Sequence, residues 1–390
     1  MLGKPEESFP VVHIAGTNGK GSVCSMLDSI YRANGYKVGL FSSPHLVELG
    51  ERIRINGKIT SMKEITHWVT ELKPVAEQME ADQAGMHPTF FEFMTAVAFL
   101  RFQEEKVDLA ILETGLGGRL DSTNVVNPEL SIITTISKDH CDLLGSEIED
   151  IAREKGGIVK KDRPILTGWL KPEANNVVKE LACEKGAPFY SLASMNESME
   201  TLPKTNLAGT YQRRNAALAI RSTEILQKNF PIDVEKAKVA LTKVHLEGRW
   251  QVIPGSPLVI LDACHNEEAA AALRGNLVEL GIKVEVWLGS LDEARARDVL
   301  TTVLPFANSF RFFQPSQPRA CSGDLLLGLL PKNFEGTTST GSIAQVSEYL
   351  EATSENQIIL VTGSIYLIGE YLSLANQNSA SLGSSFQDLL

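Results

Sequence analysis

One glycine-rich stretch carries residues suited to binding a phosphate group. The segment Gly16-Thr-Asn-Gly-Lys-Gly-Ser22 follows a β-rich run and precedes apolar residues with helical spacing. A strand, a glycine loop and a helix N-terminus in this order point backbone N–H groups and the helix dipole at an anion. Lys20 adds a positive charge there, and Ser22 offers a hydroxyl ligand for Mg2+.

The stretch departs from the general P-loop pattern at two positions. Ile14 occupies the place of the first glycine, and Ser22 comes one residue late because Gly21 intervenes. The alternative is a tight strand-to-helix turn that binds no ligand. The lysine between glycines and the helix that follows at once favour the phosphate site.

Polar side chains also follow two buried strands further along the chain. The apolar run 107–112 ends at Glu113, and the run 130–136 is followed by Asp139 and His140. Ligands of open α/β sheets bind beyond the carboxyl ends of the strands, where the phosphate loop would also lie. A buried carboxylate needs a cation or donors. We therefore expect Glu113 and His140 to ligate Mg2+, the alternative for His140 being a hydrogen-bonded loop histidine.

A third candidate stretch is Thr89-Phe-Phe-Glu92, which opens a helical pattern. Thr89 and Glu92 have the spacing of a capping box, which is a sufficient structural reason for both. The aromatic pair is equally compatible with a core position and with a surface on which a ring could stack.

Composition limits the class of protein. The chain has 390 residues, 43% hydrophobic and 22% charged, which fits a soluble globular protein of two or three domains. Its net charge of −11 argues against nucleic-acid binding. No apolar run is long enough for a membrane span. The five cysteines form no C-x-x-C pair, so we expect a reducing, cytoplasmic compartment without disulfides or structural zinc.

The pattern predicts two α/β domains, residues 1–247 and 248–390. Turn-forming residues around 245–257 separate two runs of alternating strands and helices, and Asp262 ends the first strand of the second run. Arg249 lies at the boundary, where it could bridge phosphate oxygens. The fold class expected is a mostly parallel, P-loop-type sheet followed by a smaller Rossmann-like domain. Gly156-Gly157 in a helical pattern indicates a close backbone contact or a helix end.

Taken together, these motifs resemble the dihydrofolate synthase/folylpolyglutamate synthase family of the Mur ligase group. The resemblance covers Phe9 to about Glu370 and includes the imperfect phosphate loop. The motifs that carry it are His13-Ile-Ala-Gly-Thr-Asn-Gly-Lys-Gly-Ser22, Ser42-Ser-Pro-His45, Glu113-Thr-Gly-Leu-Gly-Gly-Arg-Leu-Asp121, Asp139-His140, Arg153-Glu-Lys155, Asp262-Ala-Cys-His-Asn266 and Gly363-Ser-Ile-Tyr366.

The resemblance implies a role for each matching residue. ATP would be bound by Thr17, Asn18, Gly19, Lys20, Asn215, Arg249 and Asp262. Two Mg2+ sites are expected. Their ligands would be Ser43, Glu113, His140 and a carbamylated Lys155, with Ser22 as the alternative hydroxyl ligand. The pterin side would be lined by Thr89, Phe90, Phe91, Glu92, Leu120, Asp121 and Ser122. Lys20, Glu113, His140 and Lys155 would be the catalytic residues.

The implied reaction is ATP-dependent amide formation by a monomeric enzyme. The carboxylate of dihydropteroate, or of a folate's terminal glutamate, would take the γ-phosphoryl group, and L-glutamate would attack the acyl phosphate. Two alternatives remain open: a Mur-type peptide ligase, and a degenerate relative that binds nucleotide or folate without catalysis. The sequence does not distinguish the preferred acceptor or the number of glutamates added.

Four departures from the family pattern bear on these expectations. The chain begins only a few residues before the loop strand, where the family usually has some tens of residues that include a helix. The stretch after Leu288 lacks the usual lysine near Asp292, and Arg295 or Arg297 would have to replace it. Tyr211 replaces a usual histidine, and Gly156 replaces a usual alanine.

Overall fold

The computed structural model describes residues 1–194 and 201–381. The chain divides into two compact units. The first unit comprises Met1–Asn206 and Tyr211–His245, and the second comprises Leu207–Thr210 and the chain from Leu246 onwards. Each unit has its own sheet and its own hydrophobic core.

The first unit contains an eight-stranded sheet in the order β4-β3-β2-β5-β1-β6-β7-β8. The strands are β1 (Val11–Ala15), β2 (Val38–Phe41), β3 (Ile53–Ile55), β4 (Lys58–Ile59), β5 (Leu109–Glu113), β6 (Leu130–Ile133), β7 (Ile165–Thr167) and β8 (Phe189–Ser191). Strand β1 pairs in parallel with both β5 and β6. The chain segments that leave these three strands therefore meet at one edge of the sheet.

The helices of the first unit are α1 (Lys20–Ala33), α2 (Met62–Asp82), α3 (Phe90–Glu105), α4 (Cys141–Leu144), α5 (Ile148–Gly156), α6 (Pro172–Glu184), α7 (Thr210–Leu226) and α8 (Val234–Leu241). Every residue of β1, β5 and β6 is buried, as parallel strands covered on both faces require. The predicted continuous apolar runs are thus the centre of the sheet.

The second unit contains a six-stranded sheet in the order β13-β12-β11-β14-β10-β9. Its strands are β9 (Arg249–Ile253), β10 (Leu258–Asp262), β11 (Val284–Leu288), β12 (Ala307–Phe313), β13 (Thr337–Gly341) and β14 (Ile358–Thr362). Only β9 is antiparallel to its neighbour. The helices are α9 (Glu267–Leu280), α10 (Glu293–Val303), α11 (Gly323–Gly328), α12 (Val346–Ala352) and α13 (Ile365–Ser381).

The predicted α/β fold class is confirmed, because both units are built on largely parallel sheets. Among the described residues no helix has the length and apolar character needed to cross a membrane. After β2 the chain returns as the antiparallel strand β3, which pairs with β2 through Ile53–Ile55. Asn56 and Gly57 both have positive φ, which is the geometry of a two-residue hairpin turn.

Candidate nucleotide and acceptor site

The phosphate loop between β1 and α1 depends on two glycines. Gly16 has φ +156°, and a Cβ there would lie 1.9 Å from Thr134 Oγ1. Gly19 has φ +83° and caps α1, and a Cβ there would lie 2.7 Å from Asn215 Oδ1. A side chain at either position would push the loop away from its neighbours. Asn215, which sequence resemblance assigned to the nucleotide, is thereby placed against the loop.

Hydroxyl residues after β6 hold this loop in place, and the sequence reasoning missed them. The N–H groups of Thr17 and Asn18 donate to the carbonyl and the hydroxyl of Thr135 at 2.8 and 3.0 Å. Thr134 Oγ1 donates to the Asn18 carbonyl at 2.6 Å. Thr17 Oγ1 is bonded to the backbone of Ser137. The available signal was the polar run that directly follows a buried strand.

These contacts change which backbone groups can face an anion. The N–H groups of Thr17 and Asn18 are used inside the protein. The first turn of a helix has N–H groups without intrahelical partners, and in α1 this turn starts at Lys20. The N–H groups of this loop that are available to an anion are therefore those at the start of α1.

Two lysine ammonium groups converge on one carbonyl oxygen of the loop. Lys20 Nζ and Lys155 Nζ each donate to Gly16 O at 3.0 Å, and Lys20 also donates to Thr17 O at 3.2 Å. Lys155 comes from α5 and is only 4% exposed. Two lysine side chains therefore donate to the same atom, and the charge of Lys20 at the start of α1 favours an anionic ligand.

Glu113 lies at the start of α1 beside Ser43. Its carboxylate is 4% exposed and accepts the Ser43 N–H at 3.2 Å. A Cβ on Gly21 would come within 3.7 Å of Glu113 Oε2, and Ser22 next to it is also buried. Hard oxygen donors of this kind suit Mg2+. The structure thus brings Glu113, Ser43 and the first turn of α1 together.

His140, the other proposed Mg2+ ligand after a buried strand, lies at the start of α4. It is the N-cap of α4 with φ +52°, its side chain is 45% exposed, and its Nε2 lies 3.8 Å from Asp139 Oδ1. Within residues 1–194 and 201–381, no three His, Cys, Asp or Glu side chains form a group that could hold a metal ion. Ligation by His140 therefore remains a prediction.

The double glycine at the end of α5 has a packing reason. A Cβ on Gly157 would lie 2.4 Å from Arg119 Cα, so the backbones touch as the sequence indicated. Arg119 N donates to Glu154 O at 2.7 Å, and the Arg119 guanidinium donates twice to Glu154 Oε1. The loop after β5 thereby fixes the helix that carries Lys155.

On the acceptor side, Thr89 and Glu92 form a capping box. Thr89 Oγ1 accepts the Glu92 N–H, and Glu92 Oε2 accepts from Thr89 N and Oγ1 at 2.7 Å. The Thr89 backbone hydrogen bond is the main reason why the pKa of Glu92 is lowered. The capping box, which the sequence analysis gave as a sufficient structural reason for Thr89 and Glu92, is therefore present in the structure.

The two phenylalanines differ in exposure: Phe91 is partly buried against the core, and Phe90 lies on the surface. Phe91 packs on Phe41 with ring centroids 5.6 Å apart, and a Cβ on Gly115 would lie 2.6 Å from Phe91 Cζ. Phe90 is 58% exposed and Leu120 is 80% exposed. Of the predicted pterin-side residues, Phe90 and Leu120 therefore offer the accessible apolar surface.

Asp121 is occupied by its own loop. Its Oδ2 accepts the N–H groups of Gly115 and Leu116 at 2.8 and 3.0 Å, and its Oδ1 accepts from Thr123 N and Oγ1. This carboxylate organises the turn after β5, which is a structural role that the sequence did not predict. Ser122 Oγ is hydrogen-bonded to Thr95 Oγ1 at 2.6 Å, so this loop adjoins α3.

A buried histidine extends this network to the phosphate-loop strand. Thr123 Oγ1 donates to Asp121, so it must accept from His13 Nε2, which lies 2.8 Å away. His13 is completely buried, and desolvation lowers its pKa to about 3. It is therefore a neutral donor that ties β1 to the loop of Asp121.

In the second unit, Arg249 and Asp262 lie opposite each other on β9 and β10. Asp262 is buried and accepts the Trp250 N–H at 3.0 Å. Burial raises its pKa to about 6, while Arg249 acts in the opposite direction. Trp250 has φ +50°, a costly conformation for a bulky residue, and the bond to Asp262 supports it.

The stretch around Asp292, where the family usually has a lysine, forms the start of α10 in the second unit. Asp292 is the N-cap of α10 and accepts the Arg295 N–H at 3.0 Å. Arg297 pairs with Glu293 on an exposed face of that helix. Replacement of the lysine by Arg295 or Arg297 remains a prediction.

Comparisons with known proteins agree with this architecture. The Mur ligase middle domain profile matches residues 14–226. The dihydrofolate synthase/folylpolyglutamate synthase of Bacillus subtilis (strain 168) is 39% identical over 343 residues, covering 82% of this chain and 80% of the relative.

Two solved structures are also similar over nearly the whole chain. Escherichia coli FolC in complex with DHPP and ADP has a TM-score of 0.83 at 28% identity, covering 97% of this chain and 92% of that one. The bifunctional synthase of Yersinia pestis complexed with AMPPNP and Mn ion has a TM-score of 0.80 at 30% identity, covering 98% and 90%.

The fold and the phosphate loop thus define an ATP-dependent ligase of the Mur type. Within that class, the chain belongs to the dihydrofolate synthase/folylpolyglutamate synthase family. It is a ligase that joins L-glutamate to a folate-type carboxylate at the expense of ATP. The family and reaction class predicted from the sequence are confirmed.

Gly157→Ala should damage the protein more than Gly156→Ala. The new Cβ at 157 would collide with the Arg119 backbone, whereas at 156 the nearest atom, 2.5 Å away, is the movable end of the Leu181 side chain. We expect Gly157→Ala to cost about 1–3 kcal/mol of unfolding free energy and to reduce kcat, and Gly156→Ala to cost less. Urea unfolding of both variants tests this, and equal losses would contradict it.

Asp262→Asn should change how stability depends on pH. The pKa of Asp262 is about 6 in the folded protein and near 4 in the unfolded chain, so the folded protein binds the proton more tightly. The resulting stabilisation is complete below pH 4 and is lost as the pH rises through about 6. The difference in unfolding free energy, wild type minus Asp262→Asn, should therefore fall by about 1–2 kcal/mol between pH 5 and pH 7.5. Paired urea titrations at both pH values measure this difference, and a constant difference would refute the raised pKa.

Proposed function

We propose that this ligase uses both dihydropteroate and reduced folates as acceptors and that the loop residues 16–22 hold the phosphates of ATP. The observation that carries the proposal is the convergence of Lys20 and Lys155 on the Gly16 carbonyl beside the start of α1. The relatives described above support it, since they include a synthase bound to DHPP and ADP.

The residues present fit a nucleotide and a divalent cation. Glu113 provides a buried carboxylate next to the phosphate loop, and such a group is stable when a cation neutralises it. Mg2+ would be held by Glu113 and by Ser43 or Ser22, with His140 and carbamylated Lys155 as the further proposed ligands. When bound, the ion supplies charge neutralisation for the phosphoryl group that is transferred.

The protein's own groups would then bind and orient the reactants. The first turn of α1 and Lys20 would hold the transferring phosphoryl group near the acceptor carboxylate. Phe90 and Leu120 would receive the ring system of the acceptor. Asn215, which adjoins the loop, would contact the nucleotide as well, and the resemblance also assigns Arg249 and Asp262 of the second unit to nucleotide binding. The acyl phosphate would be attacked by the amine of L-glutamate. We further propose a cytoplasmic location, which the five free cysteines support because a reducing compartment keeps thiols unpaired. The proposed oligomeric state is a monomer, and light scattering tests it.

Lys20→Ala should abolish most glutamate incorporation. Purified protein is given ATP, Mg2+ and labelled L-glutamate with dihydropteroate or tetrahydrofolate as acceptor. Loss of one preorganised cationic donor should lower kcat on the order of 10²–10³-fold with either acceptor. Lys161→Ala, which removes an exposed lysine, is the matched control. Incorporation with one acceptor alone would refute the dual activity, and Lys20→Ala activity equal to wild type would refute the role of Lys20.

Bicarbonate should support activity through Lys155. In the structure this side chain is a buried ammonium bonded to Gly16, and a carbamate would convert it into an oxygen ligand. We expect wild-type activity to fall several-fold after removal of CO2 and to return with bicarbonate, and Lys155→Ala to be inactive in both conditions. Full activity of Lys155→Ala would show that the carbamate has no role here.

A further inference from the structure

The loop between β2 and β3 connects the proposed metal side of the first unit with its acceptor side. It starts at Ser43, whose N–H donates to Glu113, and it closes where Ser42 N donates to Arg52 O at 3.0 Å. The Glu51 carboxylate holds its interior together by accepting, at 2.6–2.9 Å, the N–H groups of Leu46, Val47 and Glu48. The loop is therefore a fixed support for the side chain of His45.

The hydrogen bond between Arg52 and His45 decides where the imidazole carries its proton. Arg52 Nε donates to His45 Nδ1 at 2.8 Å. A guanidinium cannot accept a hydrogen bond, so Nδ1 must present its lone pair and the ring must carry its hydrogen on Nε2. An imidazole that has a lone pair on Nδ1 and its single hydrogen on Nε2 is neutral. His45 is thus a neutral Nε2–H donor of fixed orientation.

The same guanidinium also touches the acceptor side. Arg52 Cζ lies 5.3 Å from the centre of the Phe90 ring, and Arg52 is 9% exposed. Phe90 is the exposed aromatic ring of the proposed acceptor surface. Arg52 therefore links the ring on which an acceptor would stack to the histidine that lies two residues after Ser43.

We propose that His45 donates its Nε2–H to the carboxylate of the folate-type acceptor and that Arg52 is the positioning residue that fixes this donor. The inference rests on the proposed function and deepens it. A neutral N–H group can hold a carboxylate without giving it a proton, so the carboxylate stays nucleophilic toward the phosphoryl group. A ring stacked on Phe90 would have its carboxylate directed toward the Ser43 and Glu113 side.

Two isosteric variants separate the two nitrogens of His45. His45→Asn keeps a polar group near the Nδ1 position but removes the Nε2 donor, and His45→Gln keeps an amide donor near Nε2. We expect His45→Asn to raise the Kd and KM for dihydropteroate on the order of 10–100-fold while the KM for ATP stays within about threefold. His45→Gln should stay within several-fold of wild type. Equal effects of the two variants on acceptor Kd would overturn the proposal.

The positioning role of Arg52 has a spectroscopic readout. Histidine 15N NMR of the wild type, with the His45 signals assigned by their loss in His45→Gln, should show a protonated Nε2 and an unprotonated Nδ1. Arg52→Lys should give mixed tautomers and a several-fold weaker acceptor Kd. Arg54→Lys is the matched control, because Arg54 Nε donates to Glu51 O instead of to His45. A wild-type Nδ1–H tautomer would overturn the proposal even if a variant failed to fold.

Equilibrium binding measurements distinguish the test of His45 from the test of the proposed ligase function. Dihydropteroate binding is measured without turnover, so a protein that binds it but adds no glutamate would contradict the ligase activity and still report on His45. A wild type that binds neither dihydropteroate nor tetrahydrofolate would overturn both.

Discussion

The carbonyl oxygen of Gly16 is the atom on which the first unit's site depends. It accepts hydrogen bonds from Lys20 at the start of α1 and from Lys155 on α5, two elements that are far apart in the sequence. Like charges are held this close only when the surrounding protein fixes them or an anion compensates for them. The loop can serve this purpose because Gly16 packs directly on Thr134 and because Thr135 binds the backbone of Thr17 and Asn18.

Each neighbouring element contributes to keeping those two lysines in place. Gly157 allows α5 to touch the backbone of Arg119, so that Lys155 reaches the phosphate loop. Asp121 organises the turn after β5, and Thr123 connects it to His13 on β1. The residues that resemble a substrate-binding motif therefore act partly as the framework of the site.

The fold and much of the site could be predicted from the sequence, because the relevant signals are local. Continuous apolar runs gave the central strands, and the strand-loop-helix order gave the phosphate loop. The rule that ligands bind beyond the carboxyl ends of parallel strands correctly placed Glu113 near α1. His140 follows β6, on the other side of β1, and lies at the start of α4 with its side chain 45% exposed, and its ligation of a metal stays a prediction.

The remaining features depend on contacts between distant residues, which no local pattern encodes. Asp121 and Glu92, which the resemblance assigns to the pterin side, also accept hydrogen bonds from nearby backbone N–H groups. The hydroxyls of Thr134 and Thr135 carry no motif of their own and become important only because β6 lies beside β1. The left-handed conformation of Trp250 likewise becomes intelligible only with Asp262 beside it.

The central claim is that this loop places the γ-phosphoryl group of ATP on the acceptor carboxylate. The most direct test uses dihydropteroate labelled with 18O in its carboxylate and follows the label during glutamate addition. If the carboxylate is phosphorylated, one labelled oxygen must leave with the phosphate, so the account predicts 18O in the inorganic phosphate in proportion to the amide formed. Amide formation with unlabelled phosphate would contradict it.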